Sequence, residues 1–198
     1  MSTPEIESSA RDRAVVEAQL GRGLRGRWRV ARRCHLGLPM AIETYPRLED
    51  GTPFPTLFWL TCPLLIKAAS RLESAGYMNE LTDRLDANGP FRERLGNAIE
   101  RYSARRDSHE VLTAAQPGGG PERVKCLHAH LAHELADGPN PVGGMTLAAT
   151  GWPDCVAACV RGAGSAGPQN ESGAGSAGPQ NKRGAGSAGP QNESGAGK

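Results

Sequence analysis

The chain has 198 residues, 38% of them apolar, and 23 lysines and arginines against 21 acids give a formal net charge of +2. A balance so near neutral names no polyanionic or membrane partner, and the longest apolar stretch, TLFWLTCPLLI, is too short to span a bilayer and contains Pro63. The start MSTPEIESSARDR has neither a basic region nor an apolar run, so the expected setting is cytoplasmic, where five cysteines read as thiols or metal ligands rather than a disulfide framework.

Residues 1–9 read as a flexible start. The spacing of Val15, Val16 and Leu20 predicts a short helix over 10–20. GRGLRGRWRVARRC then turns strand-like; in an extended chain Trp28, Val30, Arg32 and Cys34 share one face. A second strand is expected in MAIETYPRL, weakened or ended by Pro46, and the Asp50–Gly51 pair supplies turn chemistry. FPTLFWLT reads as a third strand, apolar on both faces and therefore central or covered.

The period then changes. In TCPLLIKAASRLESAG, Leu65, Ala68, Ala69 and Leu72 form a helical stripe, with Thr61 placed to cap, Pro63 in the first turn and Gly76 at the end. YMNELTDRLDANG continues the helical pattern. PFRERLGNAIERYSARRDSHEVL predicts a longer helix with a charged outer face, and His109 in it reads as a surface residue. A last helix is expected from Pro121 to about Asp137, broken by GPNPVGG, and 145–160 carry no firm pattern. The fold class is α+β: a small three-stranded antiparallel sheet packed with about four helices in one domain over 10–160. Residues 161–198 repeat an eleven-residue unit, GAGSAGPQNES, three times with two changes in the middle copy. The unit has no aromatic or branched aliphatic residue, so it reads as a low-complexity disordered tail.

The chemistry concentrates in VKCLHAHLAHEL, residues 124–135. On a continuous helix at about 100° per residue, Val124, Leu127, Leu131 and Leu135 form the apolar face with His128 among them. Cys126, His130 and His133 fall on the opposite side. In an up-down-up meander, Cys34 and Cys62 reach the same sheet edge. Cys62 also lies at a helix N-terminus, where unpaired N–H groups lower a thiol pKa. Cys155 and Cys159 form a weak CxxxC. No paired-carboxylate set, GxSxG, HExxH, P-loop or dinucleotide fingerprint occurs, which removes several common enzyme classes and any nucleotide motif and leaves the catalytic residues unknown.

The segments RCHLGLPMAIETYPRLEDGTPFPTLFWLTCP and GGGPERVKCLHAHLAHELADGPNPVG resemble the actinobacterial domain of unknown function 501 family over roughly residues 17–160. The resemblance implies a small protein without an established activity. Its characteristic polar positions fall on Cys34, Asp50, Cys62, Lys125, Cys126, His128, His133, Asn140 and Pro141. His130 sits where that family is usually apolar and is discounted as a ligand. Genes of the family tend to neighbour those of a septum-formation protein, enolase and an exopolyphosphatase, which implies a cell-division-linked interaction module.

Three functional readings follow. The first is a zinc or iron–sulfur site from Cys34, Cys62 and Cys126 with His133 or His128, structural or catalytic. The second is a thiol enzyme with Cys62 as nucleophile and His133 or His128 as base. The third uses the six arginines of residues 21–33, Arg25, Arg27, Arg29 and Arg33 foremost, to bind a polyanion. Alternating arginines on the exposed face of a half-buried strand are the plainer explanation of that stretch, and no nucleic-acid partner is expected.

Overall fold

The computed structural model describes residues 8–109, 119–152 and 155–160. All of them belong to one unit, Met1–Gly167. The tail and the first seven residues lie outside the described residues, as do residues 110–118, where the end of the expected long helix falls. The elements run α1 (Ala10–Leu20), β1 (Trp28–Arg33), β2 (Pro39–Thr44), β3 (Phe58–Leu60), α2 (Pro63–Ser74), α3 (Tyr77–Ala87), α4 (Gly89–Asp107), α5 (Leu127–Asp137) and α6 (Pro141–Thr150). The fold is thus α+β, with six helices among the described residues where about four were expected. No helix among the described residues is long and apolar enough to cross a membrane.

The sheet is the expected meander, in order β1-β2-β3 with both pairs antiparallel. The centre is β2, all six of whose residues are buried. The predicted third strand is an edge, and its two apolar faces are explained by cover from both sides. Val16 of α1 packs with Trp28, Ile42 and the partly buried Trp59 on one face. Phe58 and Leu60 meet Leu127, Leu131 and the helical core on the other. Strict alternation along β1 fails, because the register slips between Val30 and Arg32 and again before Arg33. Cys34 therefore ends up half-buried, touching two core clusters rather than pointing squarely inward. The Asp50–Gly51 turn forms as expected: Gly51 sits at φ 80° and Thr52 N–H donates to Asp50 Oδ1 at 3.0 Å.

The helix starts obey capping chemistry, with two shifts. Ser9 and Asp12 form a reciprocal capping box on α1. Cys62, not Thr61, is the N-cap of α2, and its side chain makes no capping bond. The expected break GPNPVGG instead starts α6, with Asn140 accepting from Gly143 N–H and Pro141 in the first turn. Two glycines obscured a helix that packs closely on α5; a Cβ on Gly143 would lie 2.2 Å from the His130 carbonyl oxygen.

The sheet also carries a buried ion network. Glu43 on β2 is 1% exposed and accepts from Arg29 Nε at 2.8 Å, from Arg105 Nε at 3.0 Å and Nη2 at 2.9 Å, and from His109 Nε2 at 3.1 Å. Arg105 reaches on to Asp137 at 2.8 Å. Burial alone would raise the Glu43 carboxyl, but the hydrogen bonds from Arg105, His109 and Arg29 outweigh it and hold the pKa at about 2. His109 is an exposed residue, as expected, but its ring turns onto Glu43.

The arginine-rich stretch is engaged inside the chain. Arg33 makes a two-pronged pair with Asp12 at 2.7 and 2.9 Å, and Arg29 belongs to Glu43. Arg25 pairs with Asp50 at 2.9 Å, and Arg27 lies over the Tyr45 ring at 4.3 Å. These contacts favour the plain structural explanation of the stretch over a polyanion site.

Candidate metal centre

Among the described residues, one set of three potential metal ligands converges: a Glu73 oxygen, the Cys126 sulfur and a His128 ring nitrogen lie within 4.8 Å of one another, all half-buried. Helix α5 begins at Leu127, six residues later than Pro121, because 121–122 form a turn and 123–126 are not helical. Cys126 is the N-cap, with φ −155° and ψ 112°, and its thiol makes no capping bond. Off the helical grid, it no longer shares a side with His133 and turns instead towards His128.

Helix α2 supplies the third member. Glu73 Oε1 accepts from Leu127 N–H at 2.7 Å and lies 3.1 Å from His128 Nδ1. A first-turn N–H of α5 thereby fixes the carboxylate, as helix N-termini favour anions. His128 Nε2 lies 3.1 Å from the Ile66 carbonyl and 3.2 Å from Ser70 Oγ. A carbonyl only accepts, so Nε2 carries a proton, and Nδ1 is the nitrogen turned to the acidic ligands. The neighbouring Cys126 and then the Glu73 charge raise the His128 pKa to about 9, against the opposing effect of burial.

The donor set fits a zinc-type ion. One thiolate, one imidazole and one carboxylate are ordinary Zn²⁺ ligands, and bonds of about 2.0–2.3 Å in a tetrahedron separate donors by about 3.3–3.8 Å. Closing a 4.8 Å group to that spacing takes a shift of about 1 Å. An imidazole whose other N–H is pinned by a backbone carbonyl is the usual outer support of a metal-bound histidine. A single thiol falls short of the set an iron–sulfur cluster takes.

The other predicted ligands lie elsewhere. Cys34 and Cys62 do reach one sheet edge: Cys34 N–H donates to Leu38 O at 2.8 Å and Cys62 N–H to Met40 O at 3.2 Å. Neither belongs to the group around Cys126. Cys62 is buried at 5% exposure, and burial pushes its thiol up, outweighing the N–H groups of Leu65 and Leu64 at the helix start. The lowered pKa expected at a helix N-terminus is therefore reversed, because the thiol is desolvated along with the helix end.

His133 and His130 are core residues, each 1% exposed. The side-chain amide nitrogen of Asn140 lies 3.2 Å from His130 Nδ1 and 3.1 Å from His133 Nδ1, while its oxygen accepts from Gly143 N–H. With the oxygen so engaged, the amide can donate one hydrogen to each Nδ1, which makes both rings neutral with the proton on Nε2. His133 also stacks on Phe58 at 5.7 Å and meets Tyr102 edge-on at 5.3 Å. Burial, and secondarily the charge of Arg101, lowers its pKa to about 4. The division predicted from helical geometry is thus inverted: His128 faces the polar site and His133 the core. The reason is that α5 is covered on two sides, by the sheet and by α6.

Sequence reasoning missed Glu73. Its signal was local only: Ile66, Ser70 and Glu73 recur at helical spacing beside the apolar stripe of α2, but nothing in one sequence pairs that edge with Cys126.

A family model described as "Protein of unknown function (DUF501)" matches residues 30–148, more than half of the chain. Neither the curated proteins nor the solved structures give a significant match. The matched span contains Glu73, Cys126 and His128 and ends before Cys155 and Cys159, and on its breadth the chain belongs to the DUF501 family.

Proposed function

We propose that the protein binds a zinc-type divalent ion between α2 and the start of α5, with Glu73, Cys126 and His128 as ligands. The observation that carries this is the convergence of three unlike donors from two elements, with the far nitrogen of the imidazole already anchored on Ile66. Three protein ligands at a half-exposed site leave a fourth position for water or a substrate oxygen, as in reactive rather than closed structural sites. The ion ties α2 to α5 while keeping that position open.

Titration of the full chain with Zn²⁺, and with Co²⁺ as an optical probe of thiolate ligation, tests the proposal. One equivalent is expected to bind with a dissociation constant of about 1 μM or tighter. Cys126→Ser and Glu73→Gln should each weaken binding by at least about tenfold, and Cys62→Ser should leave it unchanged. The ion must displace the proton that His128 holds up to about pH 9, so affinity should climb steeply as pH rises from 6.5 towards 9. Weaker than millimolar binding, or binding undiminished in Cys126→Ser, refutes the reading.

The same three residues suggest a second reading, a thiol nucleophile at Cys126 with His128 as its base in place of Cys62. The proton-relay arrangement needs the carboxylate on one ring nitrogen and the thiol on the other. Here Glu73 is on Nδ1 while Nε2 is turned to Ile66 and Ser70, which favours the metal. Fast alkylation of Cys126 at neutral pH, unaffected by Zn²⁺, would favour the nucleophile instead.

A further inference from the structure

The sheet edge opposite this site gathers cysteines that the metal proposal does not use. Cys34 leaves β1 there, with its backbone N–H on Leu38 O at 2.8 Å. The segment 155–160 returns to the same place. Cys159 and Cys34 both pack on the buried pair Val15 and Leu38. Gln19 Nε2 clips the arrangement, donating to Pro39 O at 2.9 Å and to the Cys159 sulfur at 3.5 Å. His35 Nε2 holds the same segment through the Cys155 carbonyl at 2.9 Å. Both Cys34 and Cys159 are reduced and half-buried, so a small oxidant can reach them. Cys62, at 5% exposure, is shielded.

We infer that Cys34 and Cys159 form a redox clasp that locks the 155–160 segment onto the end of β1. Cys159 lies outside the span matched by the family model and Cys34 inside it. The chemistry balances with a hydroperoxide as oxidant. One thiolate attacks the peroxide oxygen, the O–O bond breaks, and a sulfenic acid forms with release of water or an alcohol. The second thiolate attacks that sulfur, the S–S bond forms and water leaves. Two electrons pass from the thiols to the peroxide, and a dithiol reductant reverses the step. The metal reading fits this edge less well: no three potential ligands here come within 4.8 Å of one another among the described residues.

Brief treatment of the folded full chain with hydrogen peroxide, trapping of remaining thiols and peptide mapping decide the matter. The expected result is a dominant Cys34–Cys159 cross-link, abolished in Cys159→Ser, retained in Cys126→Ser and reversed by dithiothreitol. The oxidised chain should melt at least about 5 °C higher, because the bond closes a very long loop. A dominant link between any other pair, no link at all, or the same yield from urea-unfolded chain overturns the inference. Cys159 is only partly buried, so the folding of Cys159→Ser is readable by its unchanged melting under reducing conditions.

Discussion

Glu43 offers the sharpest energetic test of the fold. The carboxylate is fully enclosed, and its pKa falls from an ordinary 4.5 to about 2 because Arg105, His109 and Arg29 donate to it. A depressed carboxyl stabilises the folded state above the unfolded-state pKa, and that stability is lost as pH falls through the folded-state value. The drop from 4.5 to about 2 corresponds to about 3 kcal/mol, present at pH 7 and eroded between pH 4.5 and 2. Glu43→Gln keeps the shape and removes the charge, leaving the half-buried Arg105 and Arg29 without their counter-ion. Urea unfolding of both proteins at a series of pH values reads the effect, and titrating groups that do not touch Glu43 cancel in the difference. The variant should be less stable by about 3 kcal/mol at pH 7, and the gap should shrink below about 1 kcal/mol near pH 2.5. A gap that stays constant from pH 7 to 2.5 would show that Glu43 acts through packing and not through charge.

Adjacent glycines on α6 should respond with opposite signs. Gly143→Ala places a Cβ 2.2 Å from the His130 carbonyl oxygen, so α5 and α6 must separate, at a cost of about 3 kcal/mol. Gly144→Ala meets nothing nearer than 3.7 Å and should gain up to about 1 kcal/mol of helix propensity; thermal unfolding of the two variants gives both signs. Asn140→Ala leaves two buried Nδ1 acceptors and the Gly143 N–H without their partner, for a loss of about 2–4 kcal/mol in chemical unfolding. Nitrogen NMR should find the wild-type His133 ring neutral, with its proton on Nε2, down to about pH 4. Since its pKa is depressed from 6.5, His133 stabilises the fold fully above 6.5 and progressively less as pH falls towards 4.

Period and punctuation made most of the architecture legible. The meander followed from three short β-rich runs separated by turn residues, and α2 and α4 from apolar stripes with Pro63 and Pro90 near their starts. What failed were places where local signals compete. Gly143 and Gly144 looked like a break because glycine lowers helix propensity, yet they are where α6 must approach α5 most closely. Pro121 looked like a helix start, but the extended Cys126 backbone delays the first turn to Leu127. That shift of register moved Cys126 away from His133 and beside His128. Glu73 was invisible for a different reason: its partnership with residues more than fifty positions later is a tertiary fact without a local pattern.

The two polar clusters on α5 divide the labour of its histidines in a way that bears on function. His130 and His133 spend their Nδ1 atoms on one asparagine that also caps α6, so their protonation is fixed by the core and they serve to join two helices. His128 spends only its Nε2 on the backbone, which leaves Nδ1 beside a carboxylate and a thiol. A carboxylate and a thiol thus share one imidazole edge, and a positive charge placed there favours the carboxylate. At neutral pH that charge is the proton His128 retains up to about pH 9, and under the proposed metal reading a divalent ion would take its place by bonding to all three donors. Replacing His128 with Asn keeps polar contacts but removes both the proton and the metal-ligating nitrogen. Glu73 then loses the cation that faces it, so metal binding should be lost and stability at neutral pH should fall together if one cluster underlies both.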